Sequence, residues 1–364
     1  MVHKIQDKAL KYLKLKNTII DNALTEQWPH GHRLPSENKL VEIHAVSRST
    51  VRQALDQLER DGLVTRQRGR GTFYTPGAKG SQDRDHLIGV STSLSGYIYS
   101  AIVRGAEEEL SARGYHSVVG QNLLAGGIRA NVAQRSPQWR LDGLLFEPQV
   151  AEKTGIVERV KASGIPSLMI NWTTDDPEVP WIAPDDQRAG ETVAQYLLDR
   201  GHRRMAFVGI KGHQPTQNRL AGFRRRLQSL SVDLPPDLVT LVEEKPIEER
   251  IDDIYAATKQ LLETKRPLPT AIFFFSDQTA AEGYHAIKDA GLSIPEDISV
   301  ISYDNSELGR ALAPRLTTMA HPKEELGRWA ARMLLELIEE PAKAFVMQVK
   351  MQSTIIERDS VRVL

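Results

Sequence analysis

The sequence lacks cysteine, so this chain of 364 residues cannot form disulfides, supply a thiol nucleophile or bind metal through thiolates. It has no apolar run near the roughly 20 residues of a membrane-spanning helix. Its Lys-rich start also lacks the apolar stretch and cleavage site of a secretory signal. These absences predict a cytoplasmic protein outside the membrane. A Gly-Lys-Ser/Thr phosphate loop and a His-Glu-x-x-His zinc motif are missing too, so we expect no catalytic residue, metal or cofactor.

The net charge of the whole chain is zero, but its two parts have opposite net charges. The whole chain carries 47 basic and 47 acidic residues, but residues 1–75 carry 13 basic and 8 acidic ones, a net charge of +5 that leaves −5 for the remainder. A basic segment joined to an acidic one is expected when only one end of a protein contacts phosphates. The asymmetry predicts that residues 1–75 bind nucleic acid.

Local patterns within residues 1–75 predict three helices followed by a hairpin. Apolar residues at helical spacing indicate an amphipathic helix near residues 7–26. Ser36 is placed to cap a short helix that ends near His44, and Ser47 begins another helix that Gly62 is placed to end. The apolar positions of the first helix include Leu10, Leu13, Ile20 and Leu24, and those of the helix after Ser47 are Val51, Ala54, Leu55 and Leu58. The two strands of the hairpin are predicted at Leu63–Gln67 and Thr72–Thr75.

The segment Leu34–Phe73, LPSENKLVEIHAVSRSTVRQALDQLERDGLVTRQRGRGTF, resembles the winged helix-turn-helix proteins of the GntR family. The physical chemistry of the residues agrees, because Arg side chains on the first turns of a helix reach guanine edges and phosphates in the major groove. A Gly-rich hairpin tip can lie along the minor groove. An Arg-rich helix face is usually just solvated surface. Here, however, the start of the helix after Ser47 and the tip of the hairpin both carry positive charge, at the two places where a fold of this kind contacts DNA. The predicted DNA contacts are Lys11, Ser36, Glu37, Arg48, Ser49, Thr50, Arg52, Arg68, Gly69, Arg70 and Gly71. For Lys11 a solvated position is an equal alternative.

The pattern changes after residues 76–86, which are polar and aperiodic and are predicted to be a linker. From Leu87 onward, short apolar runs alternate with amphipathic helical segments. Such alternation indicates right-handed βαβ units and parallel sheets covered by helices. The number of runs favours an α/β domain of two Rossmann-like lobes over residues 87–364, with a cleft between them. The apolar runs include residues 88–90, 143–146, 167–170, 205–209, 271–275 and 298–302.

This second domain resembles the effector domains of the LacI/GalR family, which are similar to periplasmic sugar-binding proteins. The resemblance depends on residues 86–91, 197–209, 218–227, 270–305 and 314–334. A GntR-type reader joined to a LacI-type sensor is the arrangement of the arabinose repressor subgroup. The resemblance implies a repressor of transcription that binds operator double-stranded DNA and is released by a small-molecule effector, a sugar.

The resemblance also places effector-binding residues where strands end at the cleft. Arg and Asp would pair with vicinal hydroxyls, and an aromatic side chain would cover the sugar ring. The open alternatives are an interlobe salt bridge for Arg219 and Asp304, an interior histidine for His321, and core packing for the tryptophans. Family members often carry Asn or Asp where this chain has Ser276, which indicates a different ligand or a bridging water. The predicted effector contacts are Tyr97, Ile98, Tyr99, Trp172, Trp181, Arg219, Ser276, Asp304 and His321.

Two other functions remain open at this point. A free-standing solute-binding protein would explain the large domain but not the DNA reader, and a regulator could sense a purine or nucleoside, or need a co-repressor, instead of being released by sugar. Because palindromic operators pair with two-fold symmetry, we expect a homodimer. Its predicted interface uses Ile102–Leu110 and the 277–290 helix, and part of residues 76–86 is expected to pack on the large domain when effector closes the lobes.

Overall fold

The structure is a computed structural model that describes most of the chain. The described residues are 11–12, 14–16, 18–20, 22–23, 28–29, 31–60, 63–75, 86–92, 97–120, 141–148, 155–243, 245, 247–340 and 345–364, without the side chains of residues 60, 97 and 247–249. Residues 76–85 of the predicted linker therefore lie outside the described residues.

The N-terminal part has the predicted helices and hairpin. Residues 11–12, 14–16, 18–20 and 22–23 are helical, and two further helices precede an antiparallel hairpin. In the first helix Leu15, Ile19 and Ala23 are buried and the predicted apolar Ile20 is partly buried against the same core, while Leu10, Leu13 and Leu24 lie outside the described residues. The elements are α1 (Glu37–His44), α2 (Arg48–Arg60), β1 (Val64–Gln67) and β2 (Gly71–Tyr74).

Local sequence determines these elements. The Ser36 hydroxyl accepts a hydrogen bond from the Lys39 backbone N–H at 3.3 Å and so caps α1, as the pattern predicts. The predicted apolar face of α2 is confirmed, because Val51, Ala54, Leu55 and Leu58 are all buried. They pack against Leu15, Ile19, Leu34, Leu40 and Val64 to form the core of this part.

The rest of the chain contains two six-stranded sheets, which confirms the predicted α/β class. The first sheet has the strand order β13-β7-β6-β5-β3-β4 and the second β14-β12-β11-β10-β8-β9, in chain-order labels. The pairings resolved residue by residue are parallel except for β12 with β14, which is antiparallel. The strands of the first sheet are β3 (Leu87–Ser91), β4 (His116–Gly120), β5 (Gly143–Phe146), β6 (Ser167–Ile170), β7 (Trp181–Pro184) and β13 (Gln348–Met351).

Buried apolar strands form the centre of the second sheet. Every residue of β8, β10 and β11 is buried, as expected for parallel strands that helices cover on both faces. Its strands are β8 (Met205–Ile210), β9 (Val239–Val242), β10 (Ala271–Phe274), β11 (Ser299–Tyr303), β12 (Thr317–Ala320) and β14 (Thr354–Ile356). The helices of the two sheets are α3 (Tyr97–Ala112), α4 (Ile156–Ser163), α5 (Asp186–Asp199), α6 (Gln214–Ser229), α7 (Ile247–Thr264), α8 (Asp277–Asp289), α9 (Glu307–Ala311) and α10 (Lys323–Glu339).

Two pairs of helices cross at glycines. A Cβ atom on Gly222 of α6 would overlap the Gln187 carbonyl of α5, and a Cβ on Gly327 of α10 would overlap the Ile102 carbonyl of α3. Backbones in such close contact permit no larger residue, so each pair is held at one separation. None of the helices within the described ranges is both long and apolar enough to cross a membrane.

Backbone contacts divide the chain into two compact units. The first comprises Met1–Ser91, Gly114–Leu144 and Thr154–Ser167, and the second Thr92–Arg113, Leu145–Lys153 and Leu168–Leu364. The second unit contains the whole second sheet together with α3, α5 and α10. All the residues of the candidate effector site described below belong to this second unit.

Candidate nucleic-acid and effector sites

The first turns of α2 present the residues that the sequence predicts for the major groove. Arg48, Ser49 and Arg52 are exposed, and the Arg52 Nε lies 2.9 Å from the Glu37 carboxylate of α1. That ion pair holds the Arg52 side chain beside the start of α2 and leaves Arg48 at the helix terminus. An exposed helix N-terminus with two arginines is suited to phosphate and guanine.

The β1–β2 hairpin presents the second basic surface. Arg68, Gly69, Arg70 and Gly71 are all exposed. Gly69 has φ +76° and Gly71 has φ +117°, so the turn requires the positive φ that the sequence predicts for its glycines. A surface groove separates this hairpin from α1, and its lining contains Arg33, Lys39, Arg66 and Arg68 beside Ser36 and Glu37.

One predicted DNA contact is contradicted by its surroundings. Thr50 is buried, and its hydroxyl lies 2.7 Å from the Ser47 hydroxyl, which also accepts the Thr50 backbone N–H. Thr50 therefore helps to cap α2 from inside the domain and does not present its side chain to DNA. Lys11 is exposed on the first helix, where either of its two alternative roles remains open.

The effector residues lie where strands of both sheets end. Eight side chains form a closed series of contacts that we name the contact ring. Hydrogen bonds or ring contacts join each member to the next, with aromatic centroids 4.9–5.8 Å apart. In order around the ring the members are Glu147, Trp172, His213, Phe275, Arg219, Tyr303, His321 and Asn171.

Arg219 is the ring's cation, and a carboxylate outside the ring balances it. Its Nε lies 2.8 Å from the Asp186 carboxylate, both side chains being almost fully buried, and its Nη1 donates to the Phe275 carbonyl at 2.7 Å. Its guanidinium lies over the Tyr303 ring, 3.4 Å from the centroid. Burial raises the pKa of the Asp186 carboxyl, and Arg219 opposes that shift. Arg219 therefore does form an ion pair, which is the alternative to effector binding. Its partner is Asp186 and not Asp304.

Asp304 follows β11 in a strained turn. Asp304 has φ +122° and Asn305 has φ +54°, both unusual for residues other than glycine. The Lys323 ammonium, at the start of α10, donates to the Asp304 carbonyl at 2.6 Å and to the Asn305 carbonyl at 3.3 Å. The Arg358 guanidinium holds the Asn305 side chain at 2.6 Å. These bonds hold the backbone of the turn that carries Asp304, whose charge acts on Arg219 of the contact ring.

The polar half of the ring is connected through Glu147. This buried carboxylate follows β5 and accepts hydrogen bonds from Thr92, Asn171 and Trp172 at 3.0–3.2 Å. Burial raises the pKa of Glu147 and these hydrogen bonds oppose it, while burial and the nearby Glu147 charge raise the pKa of Tyr99 well above its ordinary value. Tyr99 thus lies beside the ring, as predicted for an effector contact.

His321 is buried in the ring, and only one of its nitrogens has a partner. Its Nε2 lies 2.9 Å from the Asn171 side-chain oxygen. Its Nδ1 is buried without a hydrogen-bond partner among the residues that the structure describes. Burial, then the Arg219 charge, lowers the pKa of His321 well below its ordinary value, so the His321 imidazole is neutral near pH 7.

Two other predicted effector residues have local partners of their own. Ser276 caps α8 through reciprocal hydrogen bonds with Thr279, so the structure uses its hydroxyl for capping and not for an open subsite. Trp181 lies at the amino end of β7, opposite the strand ends that carry the ring, and donates to the Thr174 carbonyl at 3.2 Å. The structure therefore does not bring Trp181 to the site. Ile98 is partly buried in the first turn of α3, and the Tyr97 side chain lies outside the described residues.

Sequence reasoning missed five ring members. Glu147 and Asn171 directly follow the apolar runs of β5 and β6, and Phe275 and Tyr303 end the runs of β10 and β11. The strand-end rule that selected Asp304 applies equally to them. His213 follows β8 with no such signal. Among the described residues, no group of three or more His, Asp or Glu side chains is arranged to hold a metal ion.

Comparison with known proteins gives two family matches and many relatives. Residues 11–73 match the bacterial regulatory proteins of the gntR family, and residues 194–361 match the periplasmic binding protein-like domain. The chain is 30% identical over 364 residues to the arabinose metabolism transcriptional repressor of Geobacillus stearothermophilus, covering 98% of this chain and all of that protein.

Two further proteins resemble the larger part of the chain. The ribose operon repressor of Escherichia coli is 31% identical over 76% of this chain and 83% of its own length. A crystal structure of a LacI family transcriptional regulator from Enterococcus faecium with bound ribose superposes with a TM-score of 0.64 at 26% identity, over 76% of this chain and 99% of that one. The fold expected from the sequence is therefore confirmed.

Proposed function

Because the chain belongs to the family of transcriptional repressors that join a GntR-type reader to a periplasmic-binding-protein-like domain, we propose that a pentose occupying the contact ring releases it from its operator. The ring is the observation that carries this proposal. It combines three large aromatic side chains, Trp172, Phe275 and Tyr303, which suit the apolar face of a sugar, with polar groups that suit its hydroxyls. The function requires binding and conformational change and no catalytic step.

The charges of the ring favour a neutral effector. Arg219 is already paired with Asp186, and the charged groups that the structure describes in and beside the ring include the Glu147 and Asp304 carboxylates and the Lys323 ammonium, which donates to the Asp304 carbonyl. A phosphorylated or carboxylated ligand would bring its charge close to two carboxylates, while Arg219 and Lys323 already have partners of their own. A polyol avoids that cost and offers donors and acceptors on every carbon. The arabinose repressor and the ribose-bound regulator are named for pentoses, which supports a five-carbon sugar here.

Thermal shift against a ligand panel tests the effector class. L-arabinose, D-ribose, D-glucose, ribose 5-phosphate, guanine and hypoxanthine would each be added to the full chain. Ligand that binds only the folded protein stabilises it by RT ln(1 + [L]/Kd), about 2.7 kcal/mol at a hundredfold excess over Kd. We expect a shift with a neutral pentose, and the same sugar should release operator DNA in a mobility-shift assay. A shift with a purine alone would contradict the proposal.

For the reader, we propose that α2 occupies the major groove and the β1–β2 hairpin the adjacent minor groove. The contacts are the exposed predicted residues, Arg48, Ser49 and Arg52 on the helix and Arg68 to Gly71 on the hairpin, with Ser36 and Glu37 supporting them from α1. The proposed domain limits are residues 1–75 for the reader and 87–364 for the sensor. Such a protein acts where operator DNA is, in the cytoplasm.

We also propose that the repressor is a homodimer joined through its larger part. Two readers on one palindromic site multiply the modest affinity of a single small module. The candidate interface consists of Ile102–Leu110 within α3 and the 277–290 segment that contains α8. Sedimentation at concentrations where operator binding is tight should show a dimer, and a strict monomer there would contradict this.

A further inference from the structure

The Glu147 carboxylate is a hydrogen-bond acceptor whose orientation its partners determine. Its Oε1 accepts from the Trp172 indole N–H at 3.1 Å and from the Asn171 Nδ2 at 3.2 Å, while Oε2 accepts from the Thr92 hydroxyl at 3.0 Å. An indole N–H can only donate, so Oε1 must accept, and an oxygen that accepts there can bind Asn171 only through the amide nitrogen. The direction of these bonds is therefore fixed, and Asn171 must point its amide nitrogen toward Glu147.

The orientation of Asn171 then determines where His321 carries its proton. Because Asn171 Nδ2 is bound to Glu147, the amide oxygen is the atom that lies 2.9 Å from His321 Nε2. An amide oxygen can only accept, so Nε2 carries the hydrogen. In a neutral imidazole the other nitrogen then has a lone pair. Nδ1 is thus a buried acceptor without a partner in the part of the chain that the structure describes.

A buried acceptor without a donor selects for a ligand that supplies one. We infer that Glu147, acting through Asn171, holds His321 in the Nε2–H tautomer and thereby makes His321 Nδ1 a subsite for a donating hydroxyl of the effector. A ligand with an ether, a carbonyl or a phosphate oxygen at that position would place lone pair against lone pair. This inference rests on the proposed function only in identifying the contact ring as the effector site, since the tautomer itself is a property of the unliganded protein.

The tautomer can be measured directly. Long-range proton–nitrogen correlation spectra of the full chain with ¹⁵N-labelled histidine distinguish a protonated ring nitrogen from one with a lone pair, and a His321→Phe variant identifies the His321 signals. We expect wild-type His321 to have a protonated Nε2 and an unprotonated Nδ1 near pH 7. A proton on Nδ1 would overturn the inference without any variant of Glu147.

The path from Glu147 through Asn171 to the His321 tautomer is named the relay. Two substitutions of Glu147 distinguish the relay from simple packing. Glu147→Gln keeps an oxygen at the Oε1 position, because the Trp172 indole must have an acceptor there, and its new amide group can donate to the Thr92 hydroxyl. Glu147→Met fills similar space but removes the acceptor, so Asn171 is free to turn. We expect the glutamine variant to keep the wild-type tautomer and the methionine variant to show a mixture or a switch.

Sugar affinity should follow the tautomer. Titration with L-arabinose and D-ribose should show a loss of about tenfold or more for Glu147→Met, the equivalent of one lost hydrogen bond, and a much smaller change for Glu147→Gln. Equal losses in both variants, or a wild-type tautomer in the methionine variant, would overturn the relay. If neither sugar binds the wild type but the tautomer responds as described, the relay stands and the proposed effector is wrong.

Discussion

Replacement of Arg219 by methionine tests whether its ion pair holds the contact ring together. Methionine keeps an apolar stem but leaves the Asp186 carboxylate without its cation, in a place where the two side chains are only 4% and 6% exposed. Removing one partner of a buried pair typically costs about 3–5 kcal/mol. The variant also loses the hydrogen bond to the Phe275 carbonyl. We therefore expect a loss of that size in the free energy of unfolding, in addition to a loss of effector response.

Urea unfolding of the full chain, followed by fluorescence and circular dichroism, measures this loss. The matched control is the double variant Arg219→Met with Asp186→Leu, because replacing both charges of a buried pair by apolar residues is often neutral or stabilising. The double variant should recover most of the lost stability but not the effector response. A single variant that loses less than about 1 kcal/mol, the value for an exposed pair, would refute a structural role for the pair.

The same pair predicts a pH dependence with a definite sign. Burial raises the pKa of Asp186 and Arg219 opposes the shift, so removing Arg219 allows that pKa to rise further. A carboxyl whose pKa is higher in the folded than in the unfolded state destabilises the protein most above its folded pKa. The penalty disappears below the unfolded pKa, near 4. The stability difference between variant and wild type should therefore shrink as the pH falls from 7 toward 4, and a constant difference would contradict the assignment.

Three further outcomes test other parts of the molecule. Gly222→Ala should lower the melting temperature, because a Cβ there would overlap the Gln187 carbonyl of α5, and overpacking typically costs about 1–3 kcal/mol. An unchanged melting temperature would mean that α5 and α6 separate freely. In operator titrations by fluorescence anisotropy, Arg48→Ala should cost more than about 1 kcal/mol, and Arg70→Ala should reduce the slope of log K against log salt by about one. Wild-type values for both would mean that the DNA-reading surface is misplaced. Lys323→Met removes the hydrogen bonds that join the strained turn to α10. The variant should still bind sugar, but the ratio of its operator affinity without sugar to that with saturating sugar should be smaller than in the wild type. A wild-type ratio would exclude coupling through this lysine.

The sequence predicts best the elements that local chemistry determines. The Ser36 cap, the apolar face of α2 and the positive φ at Gly69 and Gly71 depend on neighbours within a few residues, and all are confirmed. Which apolar residues of the first helix are most deeply buried depends on distant neighbours instead, because Leu15 and Ile19 pack with residues of α1, α2 and β1.

The contact ring could be predicted only in part, because its links join residues far apart in the chain. Asn171 and His321 are 150 positions apart, and Glu147 acts on His321 only through Asn171. The strand-end rule identifies which residues are near the site but not which of them contact one another. It placed Ser276 correctly at a strand end, yet the local capping interaction with Thr279 uses that hydroxyl. Partner choice is decided by tertiary geometry.

Several residues in and beside the ring are held in place by a charged side chain. Asp186 holds Arg219, Glu147 holds Asn171 and Trp172, and Lys323 holds the turn that carries Asp304. Each support has an energetic cost: a buried ion pair, a buried carboxylate and two residues at positive φ. A site prepared in this way loses little conformational entropy when a small ligand binds, which a pentose with few atoms requires. Occupancy is expected to affect helices α3 and α10 as well, because Lys323 begins α10, which contacts the α3 backbone at Gly327. A shift of the Asp304 turn must therefore either break the Lys323 hydrogen bonds or move α10 and α3 together.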